Sequence, residues 1–168
     1  MKITHVLRAE EHLSNTVRQM MLYEAFGFEI PQFGHISIIL GSDKQKLSKR
    51  HGATSVNEYR LQGYLKEAVN NYLALLGWSS PEGKEVLSME DMLRQFSLER
   101  VNAAPAVFDG VKMKWMNSMY VRSMDHKSLW ELLHPFLKES GLDFSEMDEE
   151  WIDKALSALK TAFETLLE

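Results

Sequence analysis

The sequence contains no cysteine, so disulfide bonds and thiolate metal sites are excluded. It also lacks an apolar run long enough to span a bilayer. Its first residues, MKITH, do not have the pattern of a secretory signal peptide, and we expect none. These absences are compatible with the reducing cytoplasm, where we expect the protein to work without a membrane partner.

An excess of positive charge is lacking as well, because the net charge is −5. A broad, positively charged surface for binding nucleic acid is therefore not expected. The charges are unevenly distributed along the chain. Basic residues concentrate early, at Lys44, Lys46, Lys49, Arg50 and Arg60. Acidic residues concentrate late, at Glu139, Asp143, Glu146, Asp148, Glu149, Glu150 and Asp153. Any contact with RNA is expected to be local and to involve the early cluster.

With 168 residues, 45% of them hydrophobic, the chain can form one core or two small ones. Residues 3–7 have the pattern of a short strand. A helix is predicted to follow and to end near Phe26, since Gly27 suits a helix end. Residues 36–40 are predicted to form a second strand, apolar enough to be covered on both faces. Strand, helix and strand make a βαβ unit, so the strands are expected to be parallel.

The rest of the sequence is predicted to be helical, with no further strand after Ser55. Residues that suit helix N-caps precede the apolar helical patterns; they are Ser55, Ser88, Asp109, Asp125 and Asp148. Pro135 is expected to kink its helix or to divide it. The last helical pattern reaches the C-terminus without a stop signal. The predicted fold class is mainly α with a small parallel βαβ unit.

A sheet of only two parallel strands is unusual, because parallel sheets are normally larger and covered on both faces. The pattern alone leaves two interpretations. The βαβ unit packs directly against the helices, or it forms the second half of a sheet whose first half lies elsewhere.

A cluster of cations, KLSKR at residues 46–50, follows the second predicted strand. In open α/β sheets, ligands bind beyond the carboxyl ends of the strands. Lys49 can hold a polyphosphate as a flexible point charge, and Ser48 can add a short hydrogen bond. Charge alone also fits a solvated basic loop without a ligand.

The order of residues in KLSKR resembles the "KMSKS" signature of class I aminoacyl-tRNA synthetases, in the form that glutamyl-tRNA synthetases use. Three further segments resemble the same family in the same order. They are HVLRAEEHLSNT at residues 5–16, the run at residues 59–79, and the block at residues 108–117. The resemblance therefore covers nearly the whole chain.

The resemblance implies the second half of a Rossmann-type catalytic domain, followed by an all-helical region. Residues 1–80 are expected to be that catalytic half with the KLSKR loop, and residues 81–147 a helical region that contacts the tRNA stem. Residues 148–168 are expected to begin a helical domain of the anticodon-binding type. The family's other signature, "HIGH", lies in an earlier portion and has no counterpart here. Met1 is therefore expected to be an internal methionine of a longer protein.

The resemblance also implies roles for individual residues. Arg8 matches the arginine that binds the side-chain carboxylate of glutamate, although spacing alone favours an ion pair with Glu10 or Glu11. Lys49 is expected to be the main catalytic residue, with Lys46 and Ser48 beside it. Positions expected to bind ATP, besides Lys49, are Ala9, Glu11, His12, Ile39 and Leu40.

The function implied for the complete protein is that of a glutamate–tRNA ligase. Such an enzyme activates glutamate with ATP, which carries Mg²⁺, and then transfers it to tRNA. The chain alone is expected to be an inactive portion. The alternative is a non-catalytic RNA-binding or scaffold module derived from the enzyme, because the half with the "HIGH" signature is absent.

Overall fold

The computed structural model describes residues 2–48, 50, 55–142, 144 and 146–168. In this part of the chain, seven α-helices and four short strands confirm the mainly helical fold class with a parallel βαβ unit. The strands are β1 (His5–Ala9), β2 (Gln32–Ile36), β3 (Ile39–Leu40) and β4 (Ala106–Val107). The helices are α1 (Leu13–Ala25), α2 (Val56–Leu61), α3 (Lys66–Gly77), α4 (Met89–Gln95), α5 (Gly110–Ser123), α6 (His126–Glu139) and α7 (Glu149–Leu159).

The βαβ unit consists of β1, α1 and β2. The two strands pair in parallel, as predicted, with Arg8 directly opposite His35. Helix α1 ends where the sequence indicates, because Gly27 has a φ of +66°, a conformation that glycine adopts without strain. The N–H of Phe28 then donates to the carbonyl of Tyr23 at 2.9 Å, which closes the helix end.

Both predicted strands differ from the observed ones. The first lies two residues later than residues 3–7, because β1 pairs with β2 from His5 onward. The second, predicted as one strand over residues 36–40, is not continuous, because Ile36 ends β2, which begins at Gln32, and Ile39–Leu40 form β3. At the division, the hydroxyl of Ser37 donates to the carbonyl of Ala103, so the chain leaves one pair of strands and joins another.

The prediction of no strand after Ser55 is also wrong, because β4 pairs in parallel with β3. Ile39 lies opposite Ala106, and the N–H of Phe108 donates to the carbonyl of Leu40 at 2.8 Å. A strand of two residues has no alternation to detect in the sequence. The tertiary pairing alone defines it.

The five predicted N-caps are confirmed. At the start of α2, the N–H of Glu58 donates to the hydroxyl of Ser55 at 3.2 Å. The Glu58 carboxylate accepts from the N–H of Ser55 at 2.9 Å, which completes a capping box. The other predicted N-caps also accept backbone N–H bonds; these are Ser88, Asp109, Asp125 and Asp148. Pro135 lies inside a single helix, α6, and does not divide it.

The last helix is predicted to reach the C-terminus, but it ends at Leu159. The segment after it returns to the loop before α3, where the N–H of Leu166 donates to the carbonyl of Gly63 at 2.9 Å. Gly63 has a φ of +78°, and a Cβ atom there would lie 2.8 Å from the backbone nitrogen of Leu166. The close backbone approach therefore requires glycine at this position.

The hydrophobic core lies among the helices. Ala68 on α3 and Met116 on α5 are fully buried, and α3 packs against α5. By contrast, the apolar residues of α1 are exposed, for example Val17 at 62% and Met21 at 63%, so their helical spacing does not mark a core face in this chain. Thr16 is the only buried residue that α1 contains. Among the described residues, no helix is both long enough and apolar enough to cross a membrane.

One buried polar side chain joins three parts of the helical region. The side-chain oxygen of Asn117, which is 0% exposed, accepts from the N–H of Leu65 at 2.8 Å. Its amide nitrogen donates to the carbonyl of Glu164 at 2.7 Å. Asn117 on α5 therefore connects the start of α3 to the segment that follows α7.

Replacing Asn117 with alanine is expected to lower the free energy of unfolding by about 2–4 kcal/mol, because the buried N–H of Leu65 and the half-buried carbonyl of Glu164 lose their partner. Urea unfolding of the 168-residue chain, followed by circular dichroism, measures this change. Asn15→Ala is the control, because Asn15 is exposed on α1 and its loss should change stability by less than about 0.5 kcal/mol. Equal stability of the two variants would contradict the connecting role of Asn117.

Candidate functional site

The candidate site lies at the carboxyl ends of β1 and β3. These strands belong to separate two-stranded sheets, but side-chain bonds from the turn after β1 to Ile38 and Lys46 bring their carboxyl ends together at one edge. Ligands of open α/β sheets bind beyond the carboxyl ends of the strands. At this edge, β1 ends with Arg8 and Ala9, and the 3₁₀ turn Glu10–His12 leads from it into α1. β3 ends with Leu40, and the KLSKR loop follows. Most of the residues selected from the sequence therefore share one region.

An ion pair joins the two sides of this edge. The ammonium nitrogen of Lys46 lies 2.5 Å from a carboxylate oxygen of Glu11. The side chains are 62% and 45% exposed, respectively, so water and ligands can reach both. The hydrogen bond from Lys46, and then its positive charge, hold the pKa of the Glu11 carboxyl below its ordinary value. Two residues that are 35 positions apart in sequence thus meet in the site.

The backbone holds the start of the KLSKR loop against β3. The N–H of Leu47 donates to the carbonyl of Ile39 at 2.9 Å, and Lys46 forms an isolated antiparallel bridge with Leu40. A tight turn between them is closed by a bond of 2.8 Å from the N–H of Gly41 to the carbonyl of Gln45. These bonds fix the position of the Lys46 backbone independently of its side chain.

Two further residues of the loop, Ser48 and Lys49, are among those selected from the sequence. Ser48 is exposed and follows directly on the anchored Leu47. Lys49, the residue expected to be the main catalytic group, lies outside the described residues.

Arg8 is packed into the βαβ unit. Its Nη2 donates to the hydroxyl of Thr16 at 2.9 Å and reaches the carbonyl of His12 at 3.5 Å. The guanidinium carbon lies 5.3 Å from the centre of the Phe33 ring, a cation–π distance. The Nε nitrogen is buried and has no hydrogen-bond partner among the described residues. A charged donor without a partner is costly to bury, which favours an anionic ligand at this position.

The ion pair that spacing alone favours for Arg8 is not formed within the ranges that the structure describes. Among the described residues, Arg8 makes no salt bridge with Glu10 or Glu11. Glu11 pairs with Lys46, and a carboxylate oxygen of Glu10 accepts weakly from the N–H of Ile38 at 3.5 Å. The 3₁₀ turn directs both carboxylates away from Arg8, toward the second pair of strands.

Sequence reasoning missed two residues that contact this arginine network. The hydroxyl of Thr16 lies 2.9 Å from Nε2 of His35, and His35 lies opposite Arg8 in the strand register. Thr16 falls within a predicted helix and His35 beside a predicted strand. Their proximity depends on a register that no local pattern reveals.

The arrangement offers three chemical functions in one region. Arg8 provides donors for a carboxylate, Lys46 provides a mobile cation for phosphate, and Glu11 provides an acceptor for hydroxyl groups. Within the ranges that the structure describes, no three histidine or acidic side chains are close enough to hold a metal ion.

Known proteins are similar to this chain in sequence and in fold. A model of the family "tRNA synthetases class I (E and Q), catalytic domain" matches residues 1–115. Glutamate–tRNA ligase 1 of Fervidobacterium nodosum is 53% identical over 166 residues, covering 99% of this chain and 34% of the ligase. Glutamate–tRNA ligase 1 of Pseudothermotoga lettingae is 50% identical over 166 residues, covering 99% of this chain and 35% of the ligase.

A crystal structure of a glutamate tRNA ligase from Elizabethkingia meningosepticum, in complex with its amino acid, superposes with a TM-score of 0.89. It is 34% identical, and the match covers 99% of this chain and 36% of that one. The chain spans about a third of the length of the curated relatives it matches.

Replacing Lys46 with methionine is expected to raise the pKa of Glu11 toward its ordinary value, because the hydrogen bond and the charge are both removed. Titration of the Glu11 carboxyl carbon by NMR, in the 168-residue chain, measures this shift. In the unaltered chain the pair is present above the lowered pKa and is lost as the pH falls through it. Lys44→Gln is the control, because it removes a neighbouring charge and should leave the pKa of Glu11 unchanged. An unshifted pKa in Lys46→Met would show that the pair does not form in solution.

Proposed function

The chain belongs to the family of class I tRNA synthetases (E and Q), catalytic domain, and we propose that it supplies the glutamate and ATP site of a glutamate–tRNA ligase. The resemblance to glutamyl-tRNA synthetases seen in the sequence is thereby confirmed. One observation carries the proposal. Arg8 is half-buried, and its buried Nε has no partner among the described residues; it lies three residues before Glu11, which pairs with Lys46 of the KLSKR loop.

We propose that Arg8 binds the side-chain carboxylate of glutamate. A guanidinium presents parallel N–H groups that match the two oxygens of a carboxylate. One Nη2 bond to Thr16 and the Phe33 ring limit the rotation of the group, while Nε lacks a partner among the described residues. The site is therefore suited to an acid and unsuited to a neutral side chain, which would leave the half-buried charge of Arg8 uncompensated.

The adenosine part of ATP is assigned to the ends of β1 and β3. Ala9 is small and leaves space for a nucleoside beside the strand end, next to His12 on the 3₁₀ turn. Glu11 accepts from ribose hydroxyls. The carbonyls of Ile39 and Leu40 each accept one backbone bond already, at 2.9 and 2.8 Å. Each retains a second lone pair, with which the backbone can read the adenine edge.

The phosphates are assigned to the KLSKR loop. Lys46 is exposed and its backbone is anchored, so only its side chain has to leave Glu11 to reach an anion. Ser48 and Lys49 continue the same loop. Lys49 is proposed to stabilise the charge that grows on the leaving pyrophosphate as the glutamate carboxylate attacks the α-phosphate. Mg²⁺ is proposed to arrive with ATP, held mainly by phosphates and water, and to neutralise phosphate charge.

In the complete ligase, tRNA is the acceptor of the activated glutamate. We propose that residues 1–80 belong to the catalytic half, that residues 81–147 contact the tRNA stem, and that residues 148–168 begin the anticodon-binding part. The cytoplasm, where translation enzymes of this kind work, is the proposed location.

A chimera tests the proposal. This chain replaces the matching segment of the Fervidobacterium nodosum ligase, to which it is 53% identical. Glutamate-dependent exchange of pyrophosphate into ATP is then measured, with the unaltered ligase as the positive control. We expect exchange within about tenfold of that ligase. A folded chimera that binds tRNA but supports no exchange would instead favour the non-catalytic RNA-binding module.

In this chimera, Arg8→Ala is expected to raise the Michaelis constant for glutamate by more than about 100-fold, since removing one partner of a buried ionic contact costs roughly 3–5 kcal/mol. The constant for ATP should change little. Arg18→Ala, an exposed arginine of α1, is the control and should change neither constant. If Arg8→Ala leaves the glutamate constant unchanged, Arg8 does not select the amino acid.

Lys49→Ala is expected to lower the limiting rate of adenylate formation by about 10²- to 10³-fold, because the lost charge acts mainly in the transition state. ATP dissociation should change little. Single-turnover measurements across ATP concentrations separate the two quantities, and Lys44→Gln is the control within the same loop. A normal limiting rate with weaker ATP binding would identify Lys49 as a ground-state ligand. An unchanged rate and affinity would leave the loop without a catalytic role.

A further inference from the structure

We propose that Thr16 is a positioning residue for the Arg8 guanidinium and that His35 sets the orientation of the Thr16 hydroxyl. The inference rests on the proposed function, in which Arg8 binds the glutamate carboxylate. It extends that function to two residues, one on α1 and one on β2, that would act on the substrate only through Arg8.

The Thr16 hydroxyl has three neighbours at hydrogen-bonding distance. Its oxygen lies 2.9 Å from Nη2 of Arg8, 2.9 Å from Nε2 of His35 and 3.3 Å from the carbonyl oxygen of His12. Thr16 is only 7% exposed, so water competes little for these bonds. The hydroxyl is the point where β1, the 3₁₀ turn and β2 meet.

The available donors and acceptors determine which atom donates in each bond. A hydroxyl has one hydrogen and two lone pairs, an arginine nitrogen only donates, and a carbonyl oxygen only accepts. When all three bonds form together, the Thr16 hydroxyl donates its hydrogen to the carbonyl of His12, and one lone pair accepts from Arg8. The other lone pair is satisfied only if His35 carries a hydrogen on Nε2 and donates it. His35 in this tautomer thus holds the hydroxyl with its lone pair toward Arg8.

The consequence for Arg8 is a fixed guanidinium plane. The Thr16 bond holds one edge of the group, and the Phe33 ring lies 5.3 Å from its central carbon. Nε is buried and has no partner among the described residues. A two-point contact with a carboxylate depends steeply on orientation, so a small rotation of the guanidinium weakens glutamate binding.

A purely structural role for Thr16 makes a different prediction. Thr16 is the one buried residue of α1, so its bonds also attach this helix to both strands. Loosening the helix would disturb glutamate and ATP together and would lower turnover. A positioning role changes the Michaelis constant for glutamate selectively. The two roles are therefore distinguished by which kinetic constant moves.

The experiment uses the chimera with the Fervidobacterium nodosum ligase and measures pyrophosphate exchange. Thr16→Val keeps the shape of the side chain and removes the hydroxyl. It is expected to raise the Michaelis constant for glutamate by about 10- to 100-fold, the range for a lost hydrogen bond to a charged group. The turnover number and the ATP constant should stay within about twofold. Thr16→Ser restores the hydroxyl and should recover the glutamate constant to within about threefold.

His35 is tested by a pair of variants in the same assay. His35→Leu removes the donor and is expected to raise the glutamate constant, whereas His35→Gln supplies an N–H and should raise it less. Thermal unfolding of each variant, monitored by circular dichroism, checks that the fold is retained. In the 168-residue chain, long-range ¹⁵N–¹H NMR correlations of the imidazole are expected to show the hydrogen on Nε2 of His35.

The outcomes are separable. A chimera without exchange before any substitution overturns the proposed function and this inference with it. An active chimera in which Thr16→Val leaves the glutamate constant unchanged overturns the inference alone. Equal increases in both Michaelis constants, or no recovery in Thr16→Ser, also overturn it and leave Thr16 with a structural role.

Discussion

The candidate site depends above all on the parallel register between β1 and β2. Side chains alternate between the two faces of a strand, so a slip of one residue would move Arg8 and His35 to opposite faces. With the observed register, they lie side by side and share the Thr16 hydroxyl. The arginine then needs no acidic neighbour to hold it, and its buried Nε has no partner within the part of the chain that the structure describes. An acidic neighbour would have neutralised the charge that an acidic ligand requires.

The electrostatics of the edge are local and differ from those of the whole chain. The protein carries a net charge of −5, yet the part of the site built from Arg8 and Lys46 is cationic. The Arg8 guanidinium is half-buried against the Phe33 ring and the Thr16 hydroxyl, whereas the Lys46 ammonium is exposed and pairs with the Glu11 carboxylate. Burial favours recognition of a fixed anion, whereas exposure permits a side chain to change partners. The two cations are therefore suited to different ligands.

Local chemistry explains what the sequence predicts correctly. Ser55 and Asp109 cap helices through bonds to residues two or three positions away, and Gly27 ends a helix through its own φ, so a short window contains the cause. The errors arise where distant residues decide the structure. β4 exists because Ile39 is beside it, and the exposure of Val17 reflects the absence of a packing partner within the described chain. Likewise, Glu11 follows Arg8 closely, but its partner, Lys46, is distant in sequence.

The pair of strands formed by β3 and β4 also connects the KLSKR loop to helix α5 of the core. β3 carries the KLSKR loop at its carboxyl end, and β4 is followed after two residues by α5, the helix at the centre of the core. The carbonyl of Leu40 is bonded to Phe108, immediately before the Asp109 cap. A shift of α5 along its axis must therefore pull on the base of the loop or break this short ladder.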